Sequence, residues 1–324
     1  MYSSIFFSAL SSVSLLPLLN FLPFDFSEKS HSSRDVCSNT EWDGGPKPPC
    51  LVLSEKLGCS SRPFFSLHNR HVFVLDLPAT VGSVRESSSF LHNAKPAGSR
   101  KSVPQGPKAF CLHPNDQLMF TRSPGDIGEW AFVSNPKEFF FRSVAYFEHQ
   151  QYALFDYGSL IRIDFNGSIA ARAEFVGSHP MHEFVGYQPH HKKTGRAYLV
   201  SSQEDLFGVF RYSSKDIGLD WTVEFSVYKF DFESLEWEPV WCIGDKAFFV
   251  GNGNSWSISL AHTVNCNSNS IFYGDDMKGV LGLDNGIYDL ETWQTESLMF
   301  GADVPRSQPH TTWITPSLTP STFH

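Results

Sequence analysis

VYKFDFESLEW, residues 227–237, contains the pattern that decides the fold of this chain. An apolar-alternating run ends at Asp231, and an acidic turn and Trp237 follow it. Side chains alternate between two faces along a β-strand, so this spacing is typical of a strand and not of a helix. The carboxylate at the end of the run can accept backbone N–H groups of a turn. We therefore predict that Asp231 closes one strand and that Trp237 opens the next.

The same strand-and-aspartate pattern occurs four times along the 324 residues, at residues 72–77, 160–165, 227–232 and 286–290. The last copy also runs through an acidic turn into a tryptophan, Trp293. A strand-and-turn unit that recurs at long intervals is typical of repeat architectures, β-propellers among them. Apolar runs separated by turn residues predict further hairpins within 64–77, 109–120, 152–165 and 198–212, and further strands at 247–250 and 270–273.

No stretch after residue 50 shows a sustained helical period, and residues 85–107, rich in Ser, Lys, Pro and Gly, are predicted to form a loop. We therefore expect an all-β protein. Its composition, 41% hydrophobic and 15% aromatic with 30 Phe, suits a large core of strands. The net charge is −9 and no run of Lys or Arg occurs, so we expect no nucleic-acid partner.

The six cysteines are scattered without a Cys-x-x-Cys pair, which favours reduced, buried thiols over a disulfide framework. Residues 1–24 carry no charge and are interrupted by Pro17 and Pro23. They lack the positive region of a secretory signal and are too interrupted for a good transmembrane helix, so we expect no membrane partner. A targeting role for this segment stays open.

Residues 227–251 resemble the hallmark segment of a plant family, catalogued as domain of unknown function 295 and described as the KIB-type, kelch-like β-propeller of F-box proteins. The family pattern of a strand ending in Asp, then Trp, a "Leu-Gly-Asp" turn and a strand ending in Gly corresponds here to Asp231, Trp237, Gly244, Asp245 and Gly251. Its "Gly-Val-Tyr-Asp-Leu" and its usual ending match around Asp289 and Trp313. The resemblance implies a propeller domain over residues 46–324.

The resemblance also implies a non-enzymatic function, in which the propeller binds a protein partner or degradation substrate for a ubiquitin ligase. Most relatives carry an F-box that docks on a Skp-type adaptor. Here residues 15–19, Val36-Cys37 and Trp42 match it only in part, without the helical spacing. We therefore interpret residues 1–45 as a degenerate F-box remnant or a targeting segment, and we expect weak or no adaptor binding.

Two further expectations follow from the resemblance. Relatives have a strand pair where this chain has residues 85–107, so we expect that part of one blade is missing. A ligase-like role implies a location in the nucleus or cytoplasm. The alternative is an organelle-targeted family member without ligase function, located in the mitochondrion or plastid.

Several residue groups contain side chains that could carry chemistry, but their sequence context predicts structural roles. The glycine-rich residues 251–255 precede a strand-like run, whereas a phosphate loop needs a helix there. His179, His182, His190 and His191 lie among loop-forming residues. Asp275-Asp276 and Asp284 lack the spacing of a Ca²⁺ loop and are predicted to be turn-forming acids. We therefore expect no catalytic, cofactor-binding or metal-binding residue. Most tryptophans are predicted to pack between blades, with one or two presented to a partner: Trp130, Trp221, Trp237, Trp241, Trp256 and Trp293.

Overall fold

The computed structural model describes residues 49–53, 61–67, 70–76, 90–91, 109–112, 118–121, 131–134, 141–155, 158–165, 171–178, 192–214, 221–251, 255–260, 266–274, 284–298 and 312–314. These residues contain β-strands and turns and no α-helix. The strands fall into three sheets of four, eight and nine strands. The larger two sheets each divide into two units, and we call the resulting five units blades 1 to 5.

The strands of blades 1 to 3 are β1 (Cys50–Val52), β2 (Ser61–Ser66), β3 (His71–Asp76), β4 (Phe90–Leu91), β5 (Ala109–Leu112), β6 (Leu118–Thr121), β7 (Ala131–Ser134), β8 (Phe141–Phe147), β9 (Gln150–Phe155), β10 (Leu160–Asp164) and β11 (Ala171–Gly177). Those of blades 4 and 5 are β12 (Lys192–Ser201), β13 (Leu206–Ser214), β14 (Thr222–Asp231), β15 (Glu236–Val240), β16 (Lys246–Val250), β17 (Trp256–Ser259), β18 (Ser270–Tyr273), β19 (Gly286–Asp289) and β20 (Gln294–Ser297). The last strand, β21 (Thr312–Ile314), returns to blade 1.

Blade 1 joins the two ends of the described chain. Its strand order is β21-β1-β2-β3, and Leu51 of β1 lies opposite both Phe65 of β2 and Trp313 of β21. All three pairings are antiparallel. Because the first and last described strands share one sheet, the chain returns to its starting point, as a closed ring of blades requires.

Blades 2 and 3 form the eight-stranded sheet. Strands β4 to β7 and strands β8 to β11 are two antiparallel meanders, and a short parallel pairing of β7 with β11 connects them. Residues 85–107 were expected to be a loop, but Phe90 and Leu91 pair with Cys111 and Phe110 as strand β4. That expectation is wrong at these two positions, because two apolar residues are too few to show an alternating period. With β4, blade 2 has four strands.

Blades 4 and 5 form the nine-stranded sheet. Blade 4 is the antiparallel meander β12 to β15, and β12 meets β17 of blade 5 in one parallel pairing, Ser201 with Trp256. In blade 5, β16 is antiparallel to β17 and parallel to β18, and β19 and β20 continue the sheet. Strand β17 follows the glycine-rich residues 251–255, where the sequence predicted a strand and not a helix.

Within the described residues the core consists of four apolar layers, and each layer lies between neighbouring blades. One layer joins blades 2 and 3, one joins blades 3 and 4, one joins blades 4 and 5, and the last joins blade 5 to blade 1. Phe249 of blade 5 illustrates the last layer, since it packs against the ring of Trp313 with centroids 5.2 Å apart. This face-to-face succession of sheets, which returns to blade 1, is the architecture of a β-propeller.

The fourfold sequence pattern corresponds to four strands that each end at its aspartate. Strands β3, β10, β14 and β19 end at Asp76, Asp164, Asp231 and Asp289. Successive residues of these strands contact different layers: Val227 packs between blades 4 and 5, whereas Tyr228 packs between blades 3 and 4. A strand that is buried on both faces needs apolar residues on both, which explains why these runs are so rich in aromatic and aliphatic side chains.

Candidate functional site

The turn after β14 is capped by the carboxylate of Asp231. Its Oδ1 atom accepts the backbone N–H of Glu233 at 3.0 Å, and its Oδ2 atom accepts the hydroxyl of Ser234 at 2.7 Å. These hydrogen bonds favour the charged carboxylate and therefore lower the pKa of Asp231. The bond from the Ser234 hydroxyl makes the largest contribution. Asp231 lies opposite Glu236, so four residues connect β14 to β15.

Trp237, just beyond this turn, fastens blade 4 to blade 3. Its side chain is only 4% exposed, and its indole Nε1–H donates to the carbonyl oxygen of Gly158 in blade 3 at 2.9 Å. The indole also meets the ring of Phe230 edge to face, with centroids 5.0 Å apart. One side chain therefore supplies both apolar packing and a hydrogen bond across the blade junction.

Two glycines leave the space that this turn occupies. A methyl group at Gly208 would lie 3.1 Å from the indole of Trp237. A methyl group at Gly177 of blade 3 would collide with the backbone carbonyl of Leu235 and lie 2.9 Å from the ring of Phe230. The turn after β14 is thus packed closely against the neighbouring blade.

The turn after β19 has the same length and the same kind of aspartate cap. The Oδ1 atom of Asp289 accepts the backbone N–H groups of Glu291 and Thr292 at 2.8 and 2.9 Å. Asp289 lies opposite Gln294, so again four residues connect the two strands. The fourth residue of each turn, Leu235 or Trp293, has a φ angle of 60°. That left-handed conformation costs a residue other than glycine roughly 1–2 kcal/mol.

The two tryptophans that follow the repeat are therefore not equivalent. Trp293 stands four residues after its aspartate, on the turn, and is 60% exposed. Trp237 stands six residues after its aspartate, inside β15, and is buried. Trp293 does not pack between blades as most of the tryptophans were predicted to do, because a shift of two positions moves its side chain from the strand onto the turn.

Trp293 stacks on Trp241, the residue after β15, and the two form an exposed tryptophan pair. Their ring centroids are 5.9 Å apart and their planes are inclined by only 10°. Trp241 is 68% exposed, so Trp241 and Trp293 match the prediction that one or two tryptophans are presented at the surface. The pair bridges blades 4 and 5 at the surface. Tryptophan is the residue most enriched among energetically dominant contacts in protein interfaces, which makes the pair the best candidate for a binding surface in the described residues.

The stretches that carry the exposed tryptophan pair are acidic. Residues 231–245 and 284–298 contain nine Asp or Glu residues and no Lys or Arg. Two of these acids have a basic partner: Glu296 meets Arg70 at 2.6 Å, and Asp284 is buried against Arg211. The exposed acids of the two stretches also include Glu233, Glu236, Glu238, Asp245 and Glu291. The fixed charge of these stretches is therefore strongly negative.

A buried ion pair joins blades 4 and 5. The Nη2 atom of Arg211 on β13 lies 2.7 Å from Oδ2 of Asp284, and the two side chains are 0% and 4% exposed. The hydroxyl of Thr222 accepts from Arg211 Nε at 2.6 Å and donates to the same Oδ2 at 2.7 Å. Arg211 Nη1 also donates to the carbonyl of Gly274 at 2.8 Å. The charges are thus paired and hydrogen-bonded, as burial requires.

This network corrects one interpretation of the sequence. Asp284 was grouped with Asp275-Asp276 as turn-forming acids, but its carboxylate belongs to the buried ion pair, while 275–276 lie outside the described residues. Tyr273 lies against Arg211, whose Cζ atom is 4.7 Å from the ring centroid, and burial raises the pKa of the Tyr273 hydroxyl. The sequence does contain a signal for this network, because Arg211 is a charged residue inside the apolar run 206–212. A charged side chain that is buried in such a strand needs a buried partner.

The remaining predicted motif residues lie in blades 5 and 1. Gly244 is exposed with a φ angle of 69°, and the carboxylate of Asp245 accepts the hydroxyl of Ser259 at 2.5 Å. Gly251 is buried at the end of β16, and Trp313 is 1% exposed in β21. The seven predicted residues thus belong to three blades, and each lies at a turn, a strand end or a blade junction.

No group of three or more His, Cys, Asp or Glu in the described residues is placed to hold a metal ion. The histidines at 179–191 lie outside those residues, as do Trp130 and residues 1–45. Nor does the described part of the chain contain a helix long and apolar enough for a bilayer crossing. Burial raises the pKa of the Cys266 thiol to about 11, whereas Cys242 is exposed, in contrast to the expectation of buried thiols.

Comparison with known proteins places the propeller in a family. The Arabidopsis thaliana protein At1g65770, which is named as an F-box protein, is 28% identical to this chain over 180 residues. The match covers 53% of this chain and 48% of that protein. F-box protein At4g35733 of the same plant is 37% identical over 73 residues, or 21% of this chain and 20% of that protein. The chain thus matches about half the length of one relative and a fifth of the other. The sequence profile of the KIB1-4 beta-propeller family matches residues 60–289, and the chain belongs to that family.

Proposed function

We propose that this chain is a non-enzymatic substrate-recognition propeller, similar to the receptors of F-box ubiquitin ligases. The observation that carries the proposal is the family match over residues 60–289, which spans the described strands from β2 to β19. Relatives that match the chain bear F-box protein names. In such a receptor the propeller selects a protein for degradation, and no bond is made or broken by the propeller itself.

The exposed tryptophan pair supports a protein-binding role. Each indole is more than half exposed, and the two rings lie against each other at the junction of two blades. Contacts made by tryptophan often supply most of the binding free energy of an interface when a partner excludes water from them. The buried Arg211–Asp284 pair ties the same two blades together, so the surface is presented by a preorganised scaffold.

Affinity purification of the tagged full-length chain tests the proposal. We expect a stoichiometric protein partner that remains bound through washing. We expect weak or no co-elution of a Skp-type adaptor, since residues 1–45 depart from F-box spacing. Strong adaptor co-elution would support the ligase role and contradict our interpretation of residues 1–45. The absence of any specific partner would contradict the interaction function itself.

A second candidate is an organelle-targeted family member without ligase function. Residues 1–24 are rich in Ser and contain no Asp or Glu, as organellar transit peptides do, but they lack the Arg of such peptides. A fusion of residues 1–45 to a fluorescent protein separates the two. A diffuse nuclear and cytoplasmic signal supports the ligase-like receptor, whereas import into mitochondria or plastids supports the alternative.

A further inference from the structure

We propose that the exposed tryptophan pair, Trp241 and Trp293, binds a basic, arginine-containing segment of a partner protein. The inference rests on the proposed interaction function and adds to it the chemistry of the partner. It is carried by two observations: the stacked, exposed indoles, and the negative charge of the stretches that hold them.

The indole pair suits a planar cation. A guanidinium group is flat, weakly hydrated and always charged, and it stacks on the face of an aromatic ring more readily than an ammonium group does. Indole has the most favourable ring face for a cation among the aromatic side chains. The two indoles are stacked with nearly parallel planes, so a cation can lie on an outer face of the pair, and 68% and 60% of the two residues' surface is exposed.

The surrounding charge selects a basic partner over other classes. The exposed acids Glu238, Asp245 and Glu291 lie within four residues of one or the other tryptophan along the chain. An arginine stacked on an indole can pair its remaining N–H groups with such carboxylates. An apolar partner would instead desolvate the carboxylates without pairing them, which is unfavourable.

A second copy of this chain is disfavoured as the occupant by the same charges. A twofold interface brings the same patch of both subunits together, so the acids of residues 231–245 and 284–298 would face one another. The net charge of −9 adds a general repulsion between copies.

The turn after β14 offers a matched control. Leu235 occupies the same position of a four-residue turn as Trp293, has the same φ angle of 60°, and is 47% exposed. Its side chain is aliphatic and has no ring face on which a guanidinium could stack. Trp241→Ala, Trp293→Ala and Leu235→Ala all leave the net charge unchanged. A difference in binding between them therefore reports the tryptophan pair and not the overall attraction of an acidic protein for a basic peptide.

The test measures binding of a fluorescein-labelled peptide of alternating arginine and serine to the full-length chain by fluorescence anisotropy. A peptide with lysine in place of arginine tests whether any cation suffices, and a peptide with glutamate tests whether the surface binds an anion. We expect the arginine peptide to bind most tightly, the lysine peptide less tightly and the glutamate peptide not at all. Trp241→Ala and Trp293→Ala should each weaken binding about tenfold, and Leu235→Ala by less than about twofold.

The exposed thiol of Cys242 provides a second readout, because it is adjacent to Trp241 in the chain. Alkylation of Cys242 by iodoacetamide is followed by peptide mass spectrometry, which separates it from the other thiols. We expect the arginine peptide to slow this alkylation in the parent and to have little effect in Trp293→Ala. Cooperative thermal unfolding of both tryptophan variants, with midpoints above the assay temperature, would confirm that both remain folded.

Equal binding of the arginine peptide to the parent and to both tryptophan variants would overturn the proposal, and so would preferential binding of the glutamate peptide. Self-association of the parent that either tryptophan variant abolishes would assign the surface to a second copy instead. Affinity purification separates this inference from the proposed function. Equal capture of the same partner by parent and Trp293→Ala removes the inference alone, whereas capture of no partner by either removes the proposed function.

Discussion

The turns after β14 and β19 have the same length, the same kind of cap and the same φ angle at their last residue, but they place their tryptophans in different environments. Each spans four residues, each begins with an aspartate that accepts backbone N–H groups, and each ends in a residue at a φ angle of 60°. The first leads into Trp237, which is buried against blade 3, and the second ends in Trp293, which is exposed. The comparison shows that the length and cap of a turn do not decide whether its tryptophan is part of the core or part of the surface.

The two blade junctions next to these turns are held by different chemistry. The junction of blades 3 and 4 is an apolar layer crossed by neutral hydrogen bonds, among them Trp237 to the carbonyl of Gly158 and the Leu199 N–H to the Ser143 hydroxyl. The junction of blades 4 and 5 includes a buried, charged network around Arg211 and Asp284. The exposed tryptophan pair at the second junction is thus available for binding, since the blades there are already joined inside the protein.

The largest contrast is expected between Trp237→Ala and Trp293→Ala. Removal of a buried tryptophan typically costs about 3–5 kcal/mol of unfolding free energy. Removal of an exposed, stacked ring costs about 0.5–1.5 kcal/mol. Urea denaturation of both variants beside the parent measures the difference, provided that Trp237→Ala is soluble enough to study. Equal losses in the two variants would mean that the turns are energetically alike and that the comparison fails.

Asp284→Asn tests the charged network at the junction of blades 4 and 5. The change keeps the shape of the side chain but leaves the guanidinium of Arg211 without a counter-charge in a dry site, so we expect a loss of about 3 kcal/mol. Glu174→Gln is the matched control, because the Arg162–Glu174 pair has the same 2.6–2.7 Å length but is about half exposed. There we expect at most about 1 kcal/mol. A similar small loss at both sites would show that the buried network contributes little.

A smaller effect is expected from Gly177→Ala, which tests how closely the turn after β14 approaches blade 3. The new methyl would meet the carbonyl of Leu235 and the ring of Phe230, and overpacking of this kind costs about 1–3 kcal/mol. At Gly244 a methyl meets open space, so only the φ angle of 69° opposes Gly244→Ala, at about 1 kcal/mol. Thermal denaturation ranks the two variants. Reversal of that ranking would place the turn further from blade 3 than the structure has it.

The smallest effect concerns the cap of Asp231 and its dependence on pH. The folded state lowers the pKa of this carboxyl, so the cap stabilises the fold fully above the pKa of an unfolded aspartate, about 3.9. That stability is lost as the pH falls through the lower folded pKa. Melting temperatures of the parent and of Asp231→Asn should therefore differ at neutral pH and converge in acid. A difference that is constant with pH would show that the charge of the cap is irrelevant.

Much of the fold could be predicted from local sequence. The strands that end at Asp76, Asp164, Asp231 and Asp289 have the period of two that a pleated strand requires, and their turns contain residues suited to turns. Strand β4 was missed because Phe90 and Leu91 alone show no period. The candidate binding surface was predicted only in kind, as one or two tryptophans presented to a partner.

The sequence by itself determined the strands that end at an aspartate and the aspartate caps of the turns after β14 and β19, because each depends on residues within one hairpin. Only the tertiary structure decided which aromatic residues are buried and which polar residues pair. Trp237 is buried because Gly208 of β13 leaves room for its indole and the carbonyl of Gly158 in blade 3 accepts its N–H. Arg211 finds Asp284 across 73 positions of the chain, and Trp293 finds Trp241 on another blade. Such partners are set by the packing of one blade on the next, and no local pattern records them.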